Sequence, residues 1–135
     1  MSVTQQKPAR PCCLIAEDQA LIGMSLVAYL DDMGFAVAGP FATKQEALAW
    51  LAANDPTLAI LDYRLAEGTC ADIARELNAR GVPIVVYSGT RRGVDVPPEL
   101  KAACWLEKPA PRSALLKVVM ELLPERAMRA ESPPN

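Results

Sequence analysis

Leu58-Ala59-Ile60-Leu61-Asp62-Tyr63-Arg64-Leu65 is the stretch on which the reading of the fold turns. Four apolar residues run into a carboxylate without polar alternation, the pattern of a strand buried on both faces of a parallel sheet. Asp62 stands where that strand ends, at the edge where open α/β sheets bind ligands. A carboxylate there either caps the turn or helix that follows or is itself reactive. The rest of the chain decides between the two.

Working outward, the same pattern recurs. Cys12-Cys13-Leu14-Ile15-Ala16 is a short apolar run ending in Glu17-Asp18. Phe35-Ala36-Val37-Ala38 is closed by Gly39-Pro40, and Pro83-Ile84-Val85-Val86-Tyr87 ends at Ser88-Gly89-Thr90. Cys104-Trp105-Leu106 ends at Glu107-Lys108-Pro109. Helical faces lie between these runs. Ile22, Leu26, Leu30 and Met33 share one face, with Gly34 as the stop. Thr43 and Glu46 fit a capping box opening a helix that carries Ala47, Leu48 and Leu51 and stops before Pro56. Ile73 and Leu77 point inward from a helix expected to start after Gly68, run to about Arg80 and end at Gly81. Leu115, Val119 and Leu122 share a face before Pro124. Pro97-Pro98 tolerates a helix only at its start, which leaves room for a short one over 98–103. Strands alternating with helices predict an α/β fold, a doubly wound parallel sheet covered on both faces. The expected organisation is one domain over 12–123 between flexible tails, 1–11 and 124–135.

Composition narrows the function. The chain has 135 residues, is 51% apolar and carries a formal charge of −2, so it can bury a core unaided and shows no basic footprint for nucleic acid. Arg91-Arg92, the only adjacent basic pair, reads as a solvated loop. No run is long enough to span a membrane and residues 1–11 lack a signal peptide's apolar centre, so a cytoplasmic protein is expected. Cys12, Cys13, Cys70 and Cys104 form no CxxC pair and read as small reduced thiols rather than zinc ligands. Histidine is absent; a histidine phosphodonor would have to come from another molecule.

All strand ends of a parallel sheet point the same way, so Glu17, Asp18, Asp62, Ser88 and Lys108 converge on one rim. Each alone has a plainer reading: helix-start acids, a cap, a turn serine, a surface lysine. Together they describe a chemistry. Clustered carboxylates bind a hard divalent cation, and Mg²⁺ uses one or two of them with waters and phosphate oxygens. Asp62 can then act as nucleophile and form an acyl phosphate. Lys108 would balance phosphoryl oxygens and Ser88 would donate a hydrogen bond to one.

Leu14-Ile15-Ala16-Glu17-Asp18, Ile60-Leu61-Asp62, Val86-Tyr87-Ser88-Gly89 and Trp105-Leu106-Glu107-Lys108-Pro109 closely resemble the motifs of the receiver domain of two-component response regulators. The resemblance covers about residues 12–123. It implies the flavodoxin-like strand order 2-1-3-4-5 and phosphorylation of Asp62 by a histidine kinase or phosphotransfer protein. It implies that Asp18, Asp62 and the carbonyl of Arg64 hold Mg²⁺, with Glu17 acting through water. Ser88 and Trp105 would be the switch pair, hydroxyl turning to the phosphate and ring rotating inward; Trp105 otherwise reads as a half-buried aromatic with its N–H in water. Three features depart from the family pattern. The loop after Asp62 lacks the common proline, Arg64 sets a long cation beside the phosphoryl site, and the stretch between Ser88 and Lys108 is compact, so the fourth helix should be short or remodelled. With no output domain after Leu123, the expectation is a stand-alone receiver that signals through a protein partner and is not an enzyme beyond its own phosphorylation and dephosphorylation. Two rivals stand beside it. One is a receiver-like interaction module that takes no phosphate. The other is an aspartate-nucleophile phosphohydrolase, in which a second aspartate two residues after the nucleophile commonly serves as acid; here that position is Arg64, which cannot donate a proton at neutral pH.

Overall fold

The computed structural model describes residues 10–89 and 96–123. Thr90, the Arg91-Arg92 pair and nearly all of both expected tails lie outside the described residues. The sheet strands are β1 (Cys12–Ala16), β2 (Ala36–Phe41), β3 (Leu58–Leu61), β4 (Ile84–Ser88) and β5 (Cys104–Glu107). The helices are α1 (Ala20–Asp32), α2 (Lys44–Leu51), α3 (Ala71–Ala79) and α4 (Arg112–Leu122). The five strands are all parallel, in the spatial order β2-β1-β3-β4-β5. This is the doubly wound sheet that the sequence pattern predicts. No helix among the described residues is long and apolar enough to cross a membrane.

Strand alternation divides the apolar residues between two cores. Leu14 and Ala16, Ala59 and Leu61, and Ile84 and Val86 face Ala47, Leu51, Ile73 and Leu77 of α2 and α3. Cys13 and Ile15, Leu58 and Ile60, and Val85 and Tyr87 face Leu26 and Leu30 of α1 and Leu115 and Val119 of α4. A strand buried on both sides has no polar face to show, which is why these strands read as continuous apolar runs. The capping box forms as expected: Thr43 Oγ1 accepts from the Glu46 N–H at 3.1 Å, and Glu46 Oε1 accepts from the Thr43 N–H at 3.3 Å.

Four details depart from the sequence reading. β2 does not close at Gly39-Pro40 but runs through it to Phe41. The pairing slips between Leu14↔Ala38 and Ala16↔Phe41, so β2 carries one extra residue as a bulge. A proline is tolerated because β2 is an edge strand. Gly39 supplies φ +109°, and a Cβ there would lie 2.4 Å from the Ile15 carbonyl. Second, the short helix expected over 98–103 is a single 3₁₀ turn, Pro98–Leu100. It is consumed in anchoring: Leu100 is fully buried, Asn78 Nδ2 donates to the Glu99 carbonyl at 2.8 Å, and Arg75 pairs with the Glu99 carboxylate at 3.2 Å. Third, Arg64–Leu65 and Gly68–Thr69 pair as a two-residue antiparallel ribbon after Asp62, so α3 begins only at Ala71. Last, the N-terminal tail expected through Pro11 is held from Arg10, which donates to the carbonyls of Gly34 and Phe35, while the Pro11 carbonyl accepts from Ala36.

Candidate functional site

Backbone rungs fix the rim before any side chain contributes. The Asp62 N–H donates to the Ala16 carbonyl at 2.9 Å, the Glu17 N–H to Phe41 at 2.8 Å and the Lys108 N–H to Ser88 at 2.9 Å. Each of these three residues is the first beyond its strand, tied to the neighbouring strand. Their side chains therefore start from one rigid edge.

Glu17, Asp62 and Ser88 are the buried polar side chains among the described residues, only 3%, 7% and 2% exposed. Lys108 joins two of them, its Nζ lying 2.9 Å from Glu17 Oε1 and 3.1 Å from Asp62 Oδ2. The Glu17 contact is an ion pair without the directionality of a hydrogen bond. A third acceptor, Gln19 Oε1, lies 3.1 Å from the same nitrogen. Asp62 Oδ1 takes a long hydrogen bond of 3.4 Å from the Arg64 N–H, and Glu17 Oε2 one of 3.0 Å from the Gln19 N–H. Asp18 is exposed, yet its carboxylate belongs to the group: one oxygen from each of Glu17, Asp18 and Asp62 lies within 4.8 Å of the others.

Burial pushes the Glu17 carboxyl above its ordinary value, with the Lys108 contact opposing and the Asp62 charge adding to the rise. Burial alone would lower Lys108, but its close contacts with the Glu17 and Asp62 carboxylates outweigh it and the ammonium is held above its ordinary value. Two acids and one ammonium sharing a buried edge remain net negative, a field that attracts a cation. The donors are all oxygens, three carboxylates deep, which fits a small hard divalent ion such as Mg²⁺ better than a soft metal.

Ser88 is the last residue of β4, in register with Glu107 of β5, and so stands on the rim with the others. Trp105 stands off it. Its ring packs at 5.8 Å and 43° against Tyr63, the residue after Asp62, and its N–H donates to the Leu100 carbonyl at 3.3 Å rather than to water. The Arg64 guanidinium lies 5.7 Å over the other end of this stack, the Tyr63 ring, and the Arg64 side chain is exposed. Sequence reasoning missed Gln19, Tyr63 and Tyr87. Tyr87 accepts from the Ala110 N–H at 3.1 Å and its ring lies 5.7 Å from Lys108 Nζ. Only Gln19 left a trace in the sequence, as a non-capping residue where α1 needs a cap.

Residues 13–120 match the family model described as the response regulator receiver domain. The chain belongs to this family. It is 32% identical over 109 residues to the transcriptional regulatory protein PdtaR of Mycobacterium tuberculosis, a match covering 78% of the chain and 53% of PdtaR. The chain therefore spans about half the length of that curated relative. Among solved structures it resembles SdrG from Sphingomonas melonis (25% identity, TM-score 0.70, covering 87% of this chain and 98% of SdrG). It also resembles the response regulator TrrA from Thermotoga maritima, solved with Mg²⁺ and BeF (20% identity, TM-score 0.72, covering 84% and 99%); that likeness speaks to the fold. The receiver fold accounts for the five-stranded order and for the convergence of strand ends on one rim.

Proposed function

We propose that this receiver accepts a phosphoryl group on Asp62 from a phosphohistidine on a kinase or phosphotransfer protein, and passes the signal on through a protein partner. The observation that carries this reading is the position of Asp62. It is a buried carboxylate whose Oδ2 faces an ammonium at 3.1 Å and whose neighbours Glu17 and Asp18 bring their oxygens within 4.8 Å. A capping aspartate requires neither the lysine nor the two acids.

In this reading Asp18 and Asp62, with the Arg64 carbonyl, would hold Mg²⁺, and Glu17 would act on it through water. When bound, the ion supplies positive charge that neutralises the carboxylates and lets an anionic phosphoryl group approach. A carboxylate oxygen of Asp62 attacks phosphorus, the P–N bond of the donor breaks, and the imidazole leaves with its electron pair and takes a proton. The product on this chain is an acyl phosphate. Lys108, already 3.1 Å from Asp62, lies close enough to take a phosphoryl oxygen with only a small movement. The Ser88 hydroxyl donates to another oxygen, and Trp105 reports that change to the 3₁₀ turn it is bonded to. Later attack by water on phosphorus returns Asp62 and inorganic phosphate, so the chain catalyses only its own modification and its loss.

The test is intact mass after incubation with Mg²⁺ and phosphoramidate, wild type beside Asp62→Ala. Gain of one phosphoryl group by wild type alone supports the reading. Equal gain by both proteins places the acceptor elsewhere, and no gain by either contradicts acceptance from a small donor.

A further inference from the structure

The Lys108 ammonium has three protons and three oxygen neighbours: Glu17 Oε1 at 2.9 Å, Asp62 Oδ2 at 3.1 Å and Gln19 Oε1 at 3.1 Å. Glu17 and Asp62 are buried anions on the rim. Gln19 is neutral, exposed and lies 89 residues away in sequence from the lysine it touches.

Gln19 is also the N-cap of α1, with extended backbone (φ −89°, ψ 113°), yet its side chain caps nothing. A serine, threonine, aspartate or asparagine there would satisfy a helix N–H that the first turn otherwise leaves to solvent. The position thus breaks a local rule of helix stability, and its side chain is turned instead to the lysine of the site. Such breaks are expected where a residue is kept for function. The backbone of Gln19 is engaged in the same place, its N–H donating to Glu17 Oε2 at 3.0 Å. One residue therefore fixes one oxygen of Glu17 and the outer side of Lys108.

We infer that Gln19 is a positioning residue for phosphoryl acceptance, its carboxamide holding the Lys108 ammonium over Asp62 as that lysine's exchangeable partner among the described residues. This rests on the phosphoacceptor reading above. Without Gln19, the flexible lysine stem is drawn inward to the closer anion, Glu17. With it, the third proton of Lys108 is held outward by a neutral acceptor. Release of that acceptor costs far less than release of a buried carboxylate, so the arriving phosphoryl oxygen displaces Gln19. A carboxylate in its place would hold Lys108 too firmly and repel the phosphoryl group.

The experiment measures beryllium fluoride binding by calorimetry at saturating Mg²⁺, with Mg²⁺ affinity and Tm measured separately. Gln19→Ala and Gln19→Ser should each weaken beryllium fluoride binding about five- to tenfold, the scale of one hydrogen bond to a charged group at a partly wet site, and Gln19→Glu should weaken it more. Mg²⁺ affinity should stay within about twofold for the two neutral variants. Gln19→Ser should meanwhile raise Tm, because it restores the missing cap; a purely structural role would not separate stability from binding in this direction. In a Lys108→Ala background the Gln19→Ala effect should vanish, since it acts through the lysine. If wild type binds beryllium fluoride and the Gln19 variants match it within twofold, this inference is overturned and the phosphoacceptor reading stands. If wild type neither binds it nor gains a phosphoryl group, both fall.

Discussion

Lys108→Met removes the cation from between two buried carboxylates while keeping the bulk of its stem. Its cost can be bounded from two sides. Glu17 and Asp62 have oxygens within 4.8 Å, and at an effective dielectric near 20 two unit charges at that distance repel by about 3.5 kcal/mol. The site can escape by protonating Glu17. At pH 7, protonating a carboxyl of ordinary value 4.5 costs about 3.4 kcal/mol, at 1.36 kcal/mol per pH unit. The two limits agree, and partial solvent access at Asp18 and Lys108 lowers both, so a loss of about 2–3 kcal/mol is expected, roughly 10 °C in Tm for a domain of this size. The sign with pH follows. Lys108 is raised in the fold, so its contribution is fully present below its ordinary value of 10.5 and is constant from pH 5 to 9. Glu17 is also raised, so in the variant its protonation on acidification relieves the repulsion, and the gap to wild type should narrow from pH 8 to pH 5. Mg²⁺ should stabilise the variant more than wild type, because it replaces the missing charge. Urea unfolding followed by circular dichroism at pH 5, 6.5 and 8, in EDTA and in Mg²⁺, measures all three effects. A variant as stable as wild type at pH 8 in EDTA, or a gap that widens toward acid, would refute the reasoning.

Three further outcomes can be checked on the same protein. Gly39→Ala should cost about 3 kcal/mol in urea unfolding, because φ +109° and a Cβ 2.4 Å from the Ile15 carbonyl leave no unstrained solution. Thr43→Ala should cost about 1 kcal/mol by the same measurement, the usual worth of an N-cap, and should leave Mg²⁺ affinity unchanged. Tyr63→Leu should cost about 1 kcal/mol through the lost ring pair and shift Trp105 emission to the red; because Trp50 also emits, this is read in a Trp50→Phe background.

The rim was legible in the sequence because parallel topology needs no side-chain detail to predict it. Once five apolar runs alternate with helical faces, the residues after those runs must share an edge, and Glu17, Asp62 and Lys108 do so through backbone rungs. Contacts that depend on rotamers were not legible. Nothing in the spacing of Gln19 and Lys108, or of Tyr63 and Trp105, tells that the members of each pair touch. β2 was cut short because Gly-Pro is ordinarily a stop, and only its edge position and the bulge opposite Ile15 let the strand continue. The 3₁₀ turn came out shorter than expected because tertiary anchors, Leu100 in the core and Glu99 held by α3, overrode local helix propensity.

Acceptance of phosphate by Asp62 itself is the central claim, and the chemistry of an acyl phosphate allows it to be read at one residue. Wild-type protein is treated with Mg²⁺ and phosphoramidate, reduced with borohydride, and digested for peptide mass spectrometry. Borohydride converts an aspartyl phosphate to homoserine and leaves a free aspartate untouched. The account predicts homoserine at position 62, dependent on both Mg²⁺ and the phosphodonor. An unaltered Asp62 in protein that has gained a phosphoryl group, or homoserine at Asp18 instead, would contradict it.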